Sequence, residues 1–224
     1  MSAEPKFSIL LVPYEAVYID IAKNASSSLK AVFAKDLGLD LAATAGNSHL
    51  LDFPRPQPPD VSGARLYPEL FTFAFVRNPW DRLVSCYRDK IRGEVSGFTR
   101  FSSAGIAHCL SGFTEFRAGM SFKAFANAVA SIDDAVADEH FRSQHIHLVN
   151  DAGHIAIDYV GRYERLIDDF HWVTSTIGLP TRSLPRLQAT TSAVDYRTNY
   201  DDQTREVVAR RYARDIELFS YSFA

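Results

Sequence analysis

Cysteine is scarce in this sequence: two residues, Cys86 and Cys109, occur among 224. Neither belongs to a Cys-x-x-Cys pair, which excludes a disulfide-stapled scaffold and a cysteine-rich zinc site. A reducing, cytoplasmic setting is therefore expected. Long hydrophobic runs are lacking too. A spanning helix needs about 20 apolar residues, and no stretch approaches that. The N-terminal apolar stretch is short and broken by Pro13 and Glu15. It lacks the charged start and apolar core of a signal peptide, so no leader and no stable membrane anchor are expected. An excess of one charge sign is also missing, since 24 Lys and Arg oppose 27 Asp and Glu for a net charge of -3. That balance gives no reason to expect nucleic acid or an anionic membrane surface as a partner. Any anion must bind in a local basic pocket.

What is present is an ordinary globular composition, 46% hydrophobic and 23% charged, which excludes whole-chain disorder. The length suits a single domain over 1–224. Val17 to Ala22 is apolar except for Asp20, and the polar run Lys23-Asn24-Ala25-Ser26-Ser27-Ser28 follows. Leu29, Val32, Phe33 and Leu37 then recur at helical spacing, with Gly38 as a stop. The pattern predicts strand, tight polar loop, helix. Pro54, Pro56, Pro58, Pro59 and Pro68 preclude a long regular element in residues 40–69, leaving an ordered excursion or a mobile loop.

The same unit then repeats. Phe71 to Val76 is a continuous apolar run, as in a buried parallel strand. Asn78 is a favoured N-cap and Pro79 a favoured first helical residue. Trp80, Leu83, Val84, Tyr87 and Ile91 form a buried helical stripe. Residues 93–120 are rich in Gly and Ser and read as irregular. Phe122 to Val129 reads as a short helix and Ile155 to Val160 as a strand. Leu166, Ile167, Phe170, Val173 and Ile177 mark a helix ended by Gly178 and Pro180, and a last helix is expected from Asp202 to Phe219. Alternating strands and helices predict an α/β layered fold with a mostly parallel sheet. Ligands of such sheets bind beyond the carboxyl ends of the strands, where both polar loops fall.

The first loop has the parts of an oxyanion site: free N–H groups at a helix start, the hydroxyls of Ser26, Ser27 and Ser28, and the charge of Lys23. A plain polar N-cap uses the same residues. The nucleotide kinase or NTPase alternative needs Gly-x-x-x-x-Gly-Lys-Ser/Thr. Here the lysine opens the loop and glycine is absent from it. In the second loop Arg77 ends a strand and Ser85 follows on the next helix. A guanidinium fork and a hydroxyl can clamp one phosphate from two sides. The competing view is an Arg–Asp surface pair, as Arg82 with Asp81.

Together the loops resemble the signatures of the sulfotransferases that use 3′-phosphoadenosine 5′-phosphosulfate (PAPS), in the branch of Golgi carbohydrate sulfotransferases and bacterial relatives. The resemblance continues through Asp138-Glu139-His140-Phe141-Arg142-Ser143-Gln144 and Asp158-Tyr159-Val160-Gly161-Arg162-Tyr163-Glu164 to Tyr212-Ala213-Arg214-Asp215-Ile216-Glu217-Leu218-Phe219. It implies a three-layer α/β sandwich with a mostly parallel central sheet and a P-loop-like sulfotransferase fold. It further implies that Lys23 to Ser28 bind the 5′-phosphosulfate and that the Arg77 to Ser85 segment binds the 3′-phosphate. Lys23 would then neutralise the leaving group, adenosine 3′,5′-bisphosphate. The implied acceptor is a carbohydrate hydroxyl, with a lipid or small-molecule hydroxyl as the alternative. The chain is expected to depart from the Golgi members in having no anchor and no luminal cysteine framework.

The acceptor hydroxyl needs a general base. His49, between the two loops, is one candidate, and His140 in its Asp-Glu-His setting is another; Glu139 is a third. Arg162 reaches the nucleotide or pairs with Glu164 or Asp168. Tyr196-Arg197, before the last helix, would close over the 3′-phosphate. The scheme needs no metal, and His145-x-His147 has no third ligand placed by spacing. A non-catalytic nucleotide-binding module remains the other rival, and the oligomeric state is not legible.

Overall fold

The computed structural model describes residues 8–94, 98–180, 183–185 and 195–223. Residues 95–97 of the Gly- and Ser-rich stretch thus lie outside the described residues. The chain divides into two compact units, residues 1–76 with 144–187 and residues 77–143 with 188–224.

The first unit is built on a four-stranded sheet of β1 (Ser8–Leu11), β2 (Ala16–Ile19), β3 (Phe71–Val76) and β4 (Tyr159–Arg162), in that spatial order. β1 runs antiparallel to β2, while β2–β3 and β3–β4 are parallel. The fold is α/β with a mostly parallel sheet, as expected. β1 was not expected. Pro13 and Glu15, which break the apolar stretch, build the turn that folds it back: a 3₁₀ turn over Val12–Tyr14 closes with Glu15 left-handed at φ 47°. β2 stops at Ile19 rather than Ala22, because the backbone then swings into the polar loop. β4 begins at Tyr159 rather than Ile155. The parallel pairing is started by Asp158, whose N–H donates to the Thr72 carbonyl at 3.0 Å while its carboxylate accepts from Thr72 N and Oγ1, each at 2.8 Å. Ile155 makes only an isolated bridge to Val149.

Helices α1 (Ser26–Asp36) and α4 (Leu166–Ile177) contribute Leu29, Val32 and Phe33, and Phe170 and Val173, to one core with Tyr18, Phe73 and Phe75 of the strands. Phe33 lies between Tyr18 and Phe170, with ring centroids 5.2 and 6.5 Å away. Burial of each such ring contributes roughly 1.5–3 kcal/mol. Ile167, read as part of the α4 stripe, is exposed. The proline-rich excursion is ordered by backbone hydrogen bonds, among them Leu10 N to Pro54 O and Leu66 N to Ala156 O.

Gly161 is needed for packing. A Cβ there would lie 2.6 Å from the ring of Phe75, which is buried in the core, and 3.3 Å from Asp169 Cβ. Overpacking of this kind costs about 1–3 kcal/mol. Gly161→Ala is expected to lower the midpoint of urea unfolding accordingly, and an unchanged midpoint would refute the close approach.

The second unit is helical: α2 (Pro79–Lys90), α3 (Phe122–Ser131), α5 (Asp202–Arg211) and α6 (Ala213–Phe219). α2 starts as read, with the Asn78 side chain accepting from Trp80 N at 3.1 Å. Trp80, Leu83, Tyr87, Phe116, Phe125 and Tyr212 share its core. The expected single last helix is two. It breaks at Tyr212, which is buried and donates its hydroxyl to Phe141 O at 2.7 Å. No described helix is long and apolar enough to cross a membrane.

Candidate active site

The polar loop after β2 has an unusual backbone. Lys23 and Ala25 both sit in the left-handed region, at φ 73° and 64°. That conformation is unfavourable for residues with a Cβ and recurs at functional sites. Alternation with left-handed residues turns successive N–H groups into a concave nest for anions. The start of α1 fits that geometry. Side chains of Asn78, Ser121 and Asp201 cap α2, α3 and α5, whereas no side chain caps α1 at Ala25. The Ala25 carbonyl takes Ser28 N and Leu29 N, leaving the Ser26 and Ser27 N–H groups with no intrahelical acceptor. Ser26 Oγ is buried beside the Asp20 carboxylate, which it helps to hold ionised. Asn24 holds the loop down: its fully buried amide donates to Phe75 O at 2.7 Å and to Gln144 Oε1 at 2.8 Å.

Behind the serines lies a polar network. His49 Nε2 is 2.8 Å from Ser27 Oγ and its Nδ1 is 3.2 Å from Lys30 Nζ. Lys30 pairs with buried Asp20 at 2.6 Å, and Asp20 accepts from Tyr18 OH at 3.2 Å. Burial opposes ionisation of Asp20, but the Lys30 ammonium overcomes this and holds the carboxyl below its usual range. An ammonium only donates, so Nδ1 of His49 accepts and Nε2–H donates to Ser27. Sequence reading missed Lys30, Asp20 and Gln144. The visible signals were Asp20, the sole polar residue in its apolar run, and Gln144 at the end of the Asp138–Gln144 segment.

In the second unit Arg77 Nε pairs with Asp81 at 2.8 Å, within the first turn of α2. The competing view of a surface pair between Asp81 and Arg82 is not met, and the Arg–Asp pair forms with Arg77 instead. Arg82 is buried and donates to Arg142 O at 2.8 Å and Glu139 O at 3.0 Å. Ser85 follows one turn beyond Asp81 on α2 and is half-buried. Asn78 Nδ2 reaches Tyr196 OH at 3.4 Å and Ser222 O at 2.9 Å. This brings Tyr196 to the start of α2, while Arg197 forms an exposed bidentate pair with Asp195 at 2.8 and 2.7 Å. In the first unit Arg162 ends β4, and its N–H donates to Asp169 at 2.6 Å, as does Arg165 at 3.0 Å.

His140 has a distinct setting. Its Nδ1 lies 2.6 Å from Asp138 Oδ1, which also accepts His140 N at 3.0 Å. Burial works against Asp138 ionisation, and the bonds from His140 more than offset it, so the carboxyl is held below its usual range. The carboxylate fixes the proton on Nδ1 and leaves Nε2 as the basic nitrogen. The segment is pinned around it: Arg82 binds the Glu139 and Arg142 carbonyls, Tyr212 binds that of Phe141, and Arg211 pairs with Asp134 and Ser143. Glu139 takes part through its backbone carbonyl. Cys109 Sγ approaches His140 Nδ1 at 3.9 Å.

A parallel strand running into an uncapped helix start, on an α/β sheet, is the arrangement of proteins that bind phosphate or sulfate esters. The chain belongs to the sulfotransferase family, whose pattern it matches over residues 12–222. Carbohydrate sulfotransferase 14 of Mus musculus is 27% identical over 222 residues, covering 93% of this chain and 58% of the relative. Carbohydrate sulfotransferase 11 of Danio rerio is 29% identical over 165 residues, covering 67% and 46%. The chain thus spans about half the length of the curated relatives it matches. No solved structure matches it.

Proposed function

We propose that this protein transfers a sulfuryl group from PAPS to a carbohydrate hydroxyl and releases adenosine 3′,5′-bisphosphate. The observation that carries this reading is the loop of left-handed Lys23 and Ala25 before an uncapped α1, in a chain of the sulfotransferase family. The donor fits these residues: a nest of N–H groups at the start of α1, with the serine hydroxyls beside it, suits an anionic ester. Two similar proteins are carbohydrate sulfotransferases by name, which supports a carbohydrate acceptor. The reading extends to a three-layer, P-loop-like fold in one domain over 1–224, supported by the parallel β2–β3–β4 order.

When bound, PAPS supplies the activated sulfuryl group. Ser26, Ser27 and Ser28 hold the 5′-phosphosulfate through N–H and hydroxyl groups, and Asn24 and Ala25 set the loop's shape. Lys23 places its charge where the leaving oxygen becomes negative. Arg77 and Ser85 take the 3′-phosphate, with Arg162 and Arg197 as further cations toward the nucleotide. His140 Nε2 takes the proton of the acceptor hydroxyl, and Asp138 orients the ring. His49 is read as a positioning residue, because its nitrogens face Ser27 and Lys30.

The test pairs turnover with binding. The purified chain should move labelled sulfate from PAPS onto oligosaccharide acceptors. Adenosine 3′,5′-bisphosphate at about 100 times Kd should add roughly 2.7 kcal/mol of stability. Arg77→Ala should weaken the bisphosphate far more than adenosine 5′-phosphate, since a charge-assisted contact to the 3′-phosphate is lost. Equal losses for both ligands would refute the Arg77 assignment. A response to ATP with magnesium but none to the bisphosphate would make the protein a kinase or NTPase instead.

A further inference from the structure

Two ligand-type side chains meet the His140 ring in the second unit: Asp138 from its own segment and Cys109 from a distant one. Cys109 Sγ, Asp138 Oδ1 and His140 Nδ1 offer atoms that all lie within 4.8 Å of one another. The sulfur and the carboxylate approach the same ring nitrogen, at 3.9 and 2.6 Å. In a Cys–His–Asp nucleophile arrangement the thiol and the carboxylate would flank opposite ring nitrogens. Convergence on one nitrogen is instead the geometry of chelation. With zinc bonds of about 2.3 Å to sulfur and 2.0–2.2 Å to nitrogen and oxygen, a tetrahedral site separates S from N by about 3.6 Å and N from O by about 3.4 Å. The observed spacings fall on either side of these values, and Cys109 is an exposed residue on a short 3₁₀ turn, His108–Leu110.

The surrounding charge favours a cation. Burial and the carboxylates of Asp138, Asp89 and Glu139 push the Cys109 thiol up to about 11, with the Lys90 ammonium opposing them. Lys90 is itself drawn to Asp89 at 3.1 Å and to Thr99 at 3.4 Å.

We propose that Cys109, Asp138 and His140 form a binding site for a thiophilic divalent cation such as Zn²⁺, and that its occupancy switches off His140 as a base. The second half rests on the reading of His140 given above; the first does not. On binding, the thiol proton goes to solvent and the Nδ1 proton moves through solvent to Nε2. The metal takes the sulfur and Nδ1 lone pairs and displaces the ring from Asp138. Nε2 then carries a proton and cannot accept one.

The probe is Co²⁺, titrated into the full chain after chelator treatment. One equivalent should produce a thiolate-to-cobalt charge-transfer band, and Zn²⁺ should displace it. Cys109→Ser and Cys109→Ala should both lose the band, while Cys86→Ser, at a buried position, should keep it. Asp138→Asn and His140→Gln should each weaken cobalt by more than the roughly 10–100-fold that loss of even an outer-shell partner brings. A wild-type chain without the band, or a Cys109 variant that keeps it, overturns the site. In the activity arm Zn²⁺ should suppress wild-type transfer. Cys109→Ser, normalised to its own metal-free rate, should be at least about tenfold less sensitive. Equal sensitivity overturns the switch. Cobalt binding without sulfuryl transfer would leave the site standing and refute the enzymatic reading; transfer without the band would do the reverse.

Discussion

His140→Ala is expected to lower kcat by about 10²–10⁴-fold, the usual contribution of a positioned base, with the Kd of adenosine 3′,5′-bisphosphate near wild type. The reason is local. Asp138 holds the proton on Nδ1 at 2.6 Å and leaves Nε2 to receive another. Asp138→Asn separates positioning from chemistry. The carboxylate orients the ring and stabilises the imidazolium that forms as the proton is taken. With chelator present, kcat should therefore fall while the Kd of adenosine 3′,5′-bisphosphate stays near wild type. Stability has its own sign. The Asp138 carboxyl is held below its usual range in the folded chain. Its contribution is present above the unfolded pKa of about 3.9 and is lost as pH falls through the folded value. Any stability advantage of wild type over Asp138→Asn should thus exist at neutral pH and fade below about pH 4. If His140→Ala keeps most of its turnover, the base lies elsewhere. His49→Ala, whose contacts to Ser27 and Lys30 predict a larger effect on nucleotide binding than on chemistry, then becomes the deciding variant.

Lys23→Ala should reduce kcat by about 10²–10³-fold, the scale for removing one group that stabilises developing charge. Nucleotide affinity should change far less, because that charge matters most when the leaving group becomes negative. Lys23→Arg should rescue only in part, since a planar fork replaces a point charge. The left-handed backbone, φ 73°, supplies a control. Lys23→Gly relaxes the strain and should match or exceed the thermal stability of Lys23→Ala while sharing its kinetic defect. Were Lys23→Ala to raise KM alone, Lys23 would be a binding residue without a role at the leaving group.

Some of this molecule was legible from local pattern. The run Phe71–Val76 reads as a buried strand because all its residues but Thr72 are apolar. Asn78-Pro79 sets the start of α2 by a hydrogen bond and a fixed φ, both properties of the residues themselves. Gly178, left-handed at φ 74°, ends α4 for the same kind of reason. Errors came where distant partners decide. β4 starts at Tyr159 because Thr72 and Asp158 lock the register, and the last helix breaks at Tyr212, which reaches back to Phe141.

The site divides in the same way. The sequence by itself determined the family, the strand–loop–helix order and the residue types able to meet an anionic ester: Lys23, the serines and Arg77. It could not determine that Lys23 and Ala25 turn left-handed, because neither residue prefers that region and the loop is held by the anchoring of Asn24 to the distant Phe75 and Gln144. Nor could it determine which neighbours meet the ring nitrogens of each histidine. His49 and His140 look alike in sequence, and a ring's proton sits where its neighbours put it. Those neighbours are Ser27 and Lys30 for the one and Asp138 for the other. Cys109 joins Asp138 and His140 only in space. Backbone propensity acts over a few residues, whereas tautomers and ligand sets depend on atoms a few ångströms apart, and only the tertiary structure fixes those distances.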